Sequence, residues 1–291
     1  MDTSRSGART SRKLLFLLAL MTWLTGTALP VEAQPRDPAL TIQTYFESVR
    51  DLDYDRFVTL FTPDGRLEDP VGTPAYRGHK ALREWIESIG GPFERIDVIL
   101  QRVLVVTPTD AAVWWTTYNH LPDGRVLDVH GIGIYRFNED GLIRDAREYW
   151  DMPGLLARMT GTPYTPPAFV SEALARQYFG LAETLDIEGT VDLFRPEGIL
   201  SDPVGTAPYR GHKAIREYLT GLAGPFATLD FTLDKVIPTT DDDVAVAWTV
   251  NIQTRDGRTL QFPGIGVFHG KDGKLGSVEE YWRVSDLLGQ L

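Results

Sequence analysis

Asp-Pro-Val-Gly occurs twice, at Asp69 and at Asp202, and each time a tyrosine, Tyr45 or Tyr178, stands 24 residues before it. A carboxylate in an apolar pocket can take a proton from carbon, and a hydrogen-bond donor facing a carbonyl oxygen can steady the enolate that results. Aspartate and tyrosine offer both services without a cofactor. Their plainer roles are a turn former whose carboxylate bonds backbone amides, and a core aromatic on a helix. His79 and His212, in Arg-Gly-His-Lys, read as helix-entrance residues, and the Trp114-Trp115 pair reads as core. There is no phosphate-binding loop, no dinucleotide-binding glycine pattern, no HExxH and no metal-ligand spacing, so neither a cofactor nor a metal is expected. The absence of cysteine excludes disulfides, thiolate nucleophiles and Cys-based metal sites.

These residues sit inside a duplication. Residues 69–85 (DPVGTPAYRGHKALREW) and 202–218 (DPVGTAPYRGHKAIREY) agree at 13 of 17 positions. The same offset of 133 relates Tyr45 to Tyr178 and Gly131-Ile132-Gly133 to Gly264-Ile265-Gly266; Glu148-Tyr149-Trp150 matches Glu280-Tyr281-Trp282 one residue closer. A period this long is a whole domain rather than a solenoid unit. The boundaries read as 37–153 for the first copy, 154–167 for a Gly-, Pro- and Thr-containing linker, and 168–291 for the second. Each copy opens with helical periodicity, Leu40 to Val49 and Ala173 to Leu181, then a short second helix. A third helix starts at Gly78-His79 and runs through Ile89. Three long strands follow, Ile96–Thr107, Ala111–Leu121 and Val126–Phe137, and a last one ends at Trp150. Helices first and a meander afterwards predict an α+β fold, with about three helices packed on one face of a curved antiparallel or mixed sheet.

The chain begins with Arg5, Arg9, Arg12 and Lys13, the apolar run Leu14–Leu24, and Val31-Glu32-Ala33. This order predicts a signal peptide over 1–33, cleavage after Ala33 and a periplasmic or secreted product with no membrane segment left. The formal net charge is −11, and loss of the leader makes it more negative. An acidic surface repels phosphate backbones, so the expected partner is a small molecule and not nucleic acid.

The stretch from Tyr45 through DLD, LF, EDPVG and REW resembles the bacterial ketosteroid isomerases, within the nuclear-transport-factor-2-like and SnoaL-like superfamily, over nearly all of each copy. The resemblance implies two tandem cone-shaped domains. It implies Asp69 and Asp202 as general bases, Tyr45 and Tyr178 as oxyanion donors, and Trp150 and Trp282 as an aromatic wall beside the base. It also implies a second donor, a protonated carboxylic acid, at a position held here by Gly133 and Gly266. The family's supporting tyrosine is replaced by Ile86 and Leu219, with Trp85 and Tyr218 next door but expected to point elsewhere. Strand alternation predicts Thr116, Tyr118 and His120 in the first copy, and Thr249, Asn251 and Gln253 in the second, as pocket-facing residues, with Tyr118 or His120 and Asn251 or Gln253 as replacement donors.

Two functions follow as expectations. One is a cofactor-free acid/base isomerase that moves a double bond next to a carbonyl, an intramolecular oxidoreductase acting on a small apolar compound. The other is a binding protein with the same cone, favoured by the missing donor at Gly133 and Gly266. Cones of this superfamily pair through an exposed apolar sheet face, so the two copies are expected to form an internal pseudo-dimer.

Overall fold

The computed structural model describes residues 35–290. The leader expected over 1–33 lies outside the described residues. Among those described, no helix is long and apolar enough to cross a membrane.

Each copy is a helix-covered sheet. The first runs α1 (Pro38–Asp51), α2 (Tyr54–Val58), β1 (Phe61–Glu68), β2 (Tyr76–Arg77), α3 (Gly78–Gly90), β3 (Arg95–Thr107), β4 (Asp110–His120), β5 (Val126–Phe137) and β6 (Ile143–Tyr149). After α4 (Met152–Thr160), the second copy repeats the order. It runs α5 (Val170–Glu183), α6 (Ile187–Leu193), β7 (Phe194–Ser201), β8 (Tyr209–Arg210), α7 (Gly211–Ala223), β9 (Phe226–Pro238), β10 (Asp243–Thr254), β11 (Thr259–Lys271) and β12 (Lys274–Tyr281). A short α8 (Val284–Leu288) follows. The sheet orders are β2-β1-β6-β5-β4-β3 and β8-β7-β12-β11-β10-β9. Only β1 with β6, and β7 with β12, pair parallel, so both sheets are mixed, as an α+β fold allows.

Local chemistry places the helices. Asp37 caps α1 by accepting from the Ala39 amide, and Asp53 caps α2 through Arg56 N. The connector is more ordered than its composition implied, because α4 occupies half of it. Pro153 falls in the first turn, where its missing N–H costs nothing, and Asp151 caps Gly154 N.

Among the described residues, three apolar clusters form. One lies under the helices of each copy, built around Ile42, Phe57, Leu82 and Tyr135 in the first and Ala175, Val191, Ile215 and Phe268 in the second. The third draws from both copies: Leu104, Ile132, Ile134 and Tyr149 meet Ile237, Ile265, Val267 and Tyr281. It joins the sheet faces that the helices leave open. The contact is pseudo-symmetric, since the positions of Gly72 and Gly205 face Thr240 and Thr107 of the opposite copy.

Candidate active site

Each helix-side cavity is framed by α1, α3, β4 and β6 or by their second-copy equivalents. The first has a volume of about 110 Å³ and is lined by Tyr45, Asp69, Trp85, Trp115, Glu148 and Trp150 among others. The second has a volume of about 120 Å³ and is lined by Tyr178, Asp202, Trp248, Glu280 and Trp282 within a wall of Leu, Phe and Val. Asp69 and Asp202 follow directly on β1 and β7, so the strand ends deliver their carboxyls to the cavity.

The tryptophans do more than wall off water. Trp150 Nε1 donates to Asp69 Oδ1, and Trp282 Nε1 donates to Asp202 Oδ1 at 2.6 Å. These bonds stabilise the carboxylate and oppose burial. Burial nonetheless dominates, pushing Asp69 up to about 7 and raising Asp202, where Trp282 and then Tyr218 act in the opposite direction. Tyr218 therefore turns towards the base, against the sequence expectation, and stacks on Tyr209 at 4.0 Å.

A second carboxyl faces each aspartate, and sequence reasoning did not select it. Glu148 on β6 is 2 % exposed and Glu280 on β12 is 3 % exposed. Trp115 Nε1 donates to Glu148 Oε2 at 2.8 Å, and Tyr135 Oη donates to Oε1 at 2.5 Å. Trp248 Nε1 donates to Glu280 Oε2 at 2.9 Å. Burial and the nearby Asp69 charge push Glu148 up to about 8, with Tyr135, Trp115 and Tyr45 opposing by hydrogen bonding. Glu280 is raised well above the carboxylate range by burial and Asp202, with Trp248 opposing. The Tyr45 and Tyr178 phenols are raised well above their ordinary value by burial and by both local carboxyls, so they stay protonated donors.

The glycines explain where the expected second donor went. A Cβ on Gly133 would lie 2.7 Å from Glu148 Oε2 and 2.6 Å from Tyr135 Oη. A Cβ on Gly266 would lie 2.8 Å from Glu280 Oε2. A buried carboxyl from the neighbouring strand, Glu148 or Glu280, occupies that space, and the glycine makes room for it. The signal was present: the Glu-Tyr-Trp repeat and strand alternation put Glu148 on the face of Trp150.

The polar strand residues require a correction. Thr116, Tyr118, His120, Thr249, Asn251 and Gln253 do not line either cavity. The alternation is right and its phase is reversed. Trp115, Thr117 and Asn119 face the first cavity, and Trp248, Val250 and Ile252 face the second. Each indole's bond to its glutamate pins that phase. Thr116 is bonded to Gln101 and His130, His120 to Asp97, and Thr249 to Arg102 and Asp234. Asn251 is bonded to Gln261, while Tyr118 and Gln253 are exposed. His79 and His212 bond the Phe61 and Phe194 carbonyls, as helix-entrance residues do.

Residues 42–146 and 175–278 both match the SnoaL-like domain family, together more than half of the chain. The chain belongs to that family, twice over. Two curated relatives of this SnoaL-like protein carry enzyme names. The epoxide hydrolase LasB of Streptomyces lasalocidi is 27% identical over 208 residues, 67% of this chain and 68% of that protein. That match is longer than either SnoaL-like segment. The steroid Delta-isomerase of Nocardioides simplex is 26% identical over 109 residues, 38% of this chain and 85% of that protein. Among solved structures, the Delta 5-3-ketosteroid isomerase from Mycobacterium sp. is 27% identical, with 40% of this chain covering 96% of that one at a TM-score of 0.37.

Proposed function

We propose that this tandem SnoaL-like protein is a cofactor-free acid/base isomerase of small, largely apolar carbonyl compounds. The observation that supports this most is the pairing, in each apolar cavity, of two buried carboxyls with raised pKa beside a protonated tyrosine. Environments that separate two carboxyls into a base and an acid are how such sites divide the work. The Asp69 or Asp202 carboxylate takes a proton from the carbon next to the carbonyl. The C–H electron pair becomes the enolate double bond, and the charge moves to oxygen. Protonated Glu148 or Glu280, with Tyr45 or Tyr178, donates hydrogen bonds to that oxygen. The aspartic acid then returns the proton to the far carbon, which regenerates the carboxylate and conjugates the double bond. A supplied second donor weakens the case for a purely binding role.

The test is incubation of residues 34–291 with a β,γ-unsaturated 3-ketosteroid, following the ultraviolet absorbance of the conjugated enone. Asp69→Asn/Asp202→Asn should abolish the rise, and turnover retained in that double variant would overturn the mechanism. A second reading draws on the likeness to LasB, whose match is longer than one copy. The same pair would open an epoxide, the acid protonating the ring oxygen while the carboxylate deprotonates an attacking hydroxyl. Turnover of a hydroxy-epoxide in place of the enone precursor would select it. We also assign the protein to the periplasm or the exterior, on the leader composition; N-terminal sequencing of fractionated material that begins at Gln34 would support that, and an intact start in the cytoplasm would refute it.

A further inference from the structure

The two cavities share their reacting groups but differ at the far end of β4 and β10. The first carries Thr117 and Asn119; the same positions in the second are Val250 and Ile252. Asn119 is 5 % exposed, and a buried amide left partly unpaired costs free energy unless something pairs it. Its Nδ2 donates to Thr117 Oγ1 at 2.9 Å and to the Leu127 carbonyl at 3.1 Å. A carbonyl only accepts, so this bond fixes which end of the amide is nitrogen. Both amide hydrogens are thereby used. Among the described residues, no hydrogen bond reaches Asn119 Oδ1, and the Thr117 hydroxyl proton has no acceptor. The cavity wall therefore presents one free acceptor beside one free donor.

A ligand hydroxyl matches that pair, because it gives one hydrogen bond and takes one. Trp115, which holds Glu148, marks the reactive end, and Asn119 lies about 13 Å further along the strand at about 3.3 Å per residue. In the second cavity a hydroxyl at this depth would meet Val250 and Ile252, with Leu229, Phe231 and Phe262 nearby, and would lose its water without replacement.

Resting on the reading of both cavities as substrate sites, we propose that they are specialised for different ligands. The first selects a compound with a reactive oxygen at one end and a hydroxyl at the other, read by Thr117 and Asn119. The second selects one whose far end is wholly apolar.

Isothermal titration of residues 34–291 with testosterone and with androst-4-en-3-one tests this, since the two ketones differ only in the distal hydroxyl. In the wild type each should fill one tight site per chain, and saturation with one should leave the other's binding intact. Thr117→Val/Asn119→Ile should weaken testosterone by at least about tenfold, as loss of a paired buried hydroxyl implies, and give androst-4-en-3-one a second site. Val250→Thr/Ile252→Asn should do the reverse in the other copy. Equal affinities and mutual competition in the wild type, unchanged preferences in both swaps, or binding of neither compound would overturn the proposal. Because binding is read without turnover, an inactive protein that shows this pattern would refute the isomerase reading and leave the specialisation standing.

Discussion

At the scale of residues, the paired carboxyls set the pH response. With the second copy silenced by Asp202→Asn, the proposed mechanism requires Asp69 ionised and Glu148 protonated. The rate should rise as pH passes about 7 and fall beyond about 8. Glu148→Gln should remove the alkaline limb and lower kcat by about 10²–10³, the usual cost of an oxyanion donor. The same groups bear on stability. In an unfolded chain both titrate near pH 4, roughly the model-peptide value; folded, they hold their protons up to about 7 and 8. Between those limits the folded state binds more protons, so their contribution to stability declines as pH rises from about 4 to about 8. The thermal midpoint of Asp69→Asn/Glu148→Gln should therefore depend less on pH over that range than the wild type's. Glu280 offers a further check. Among the described residues its Oε1 has no hydrogen-bond partner, because Phe268 stands where the first copy has Tyr135, whose hydroxyl bonds Glu148.

At the scale of elements, β4 and β5 hold the acid in place. Gly131 lies opposite Trp115 in the ladder, and a Cβ there would sit 2.0 Å from the indole. Gly131→Ala must expel the ring from its place, which removes a donor from Glu148 and overpacks the core. A loss of about 3 kcal/mol is expected, at the upper end of overpacking costs, together with a further rise in the Glu148 pKa. Urea denaturation and the alkaline limb of the pH profile read the two effects separately. The connector helix depends on its cap in the same direct way. Asp151 accepts from Gly154 N and from the Tyr164 hydroxyl, so Asp151→Ala should cost about 1 kcal/mol without altering turnover.

At the scale of the whole molecule, the two copies cover each other's open sheet faces. Arg102 crosses that interface: it donates to the Trp248 and Gly264 carbonyls at 2.8 and 3.1 Å and pairs with Asp234 at 3.0 Å. The position equivalent to Asp234 in the first copy is Gln101, so two first copies would bring Arg102 against no carboxylate. Arg102→Ala strands Asp234 and two carbonyls, and should cost about 2 kcal/mol in equilibrium unfolding. With the apolar faces already joined, residues 34–291 should scatter light as a monomer.

The duplication, the helix and strand order, and the Tyr–Asp pairs were legible in the sequence because they are local or repeat at a constant offset. Periodicity reads burial within one element, and a repeat needs no geometry at all. The phase of β4 was not legible. Alternation leaves two faces equivalent until something outside the strand chooses, and here the choice is the Trp115 indole meeting Glu148 across the sheet. Alternation could place Glu148 and Glu280 on the face of their tryptophans, but not against the glycines. Nothing along β6 or β12 shows that a carboxyl 15 residues beyond Gly133, or 14 beyond Gly266, fills the space a glycine leaves open. Neighbourhood across a sheet is set by register and depth, and only the folded chain brings the acid, the base and the phenol into one low-dielectric cavity, where their proton affinities separate.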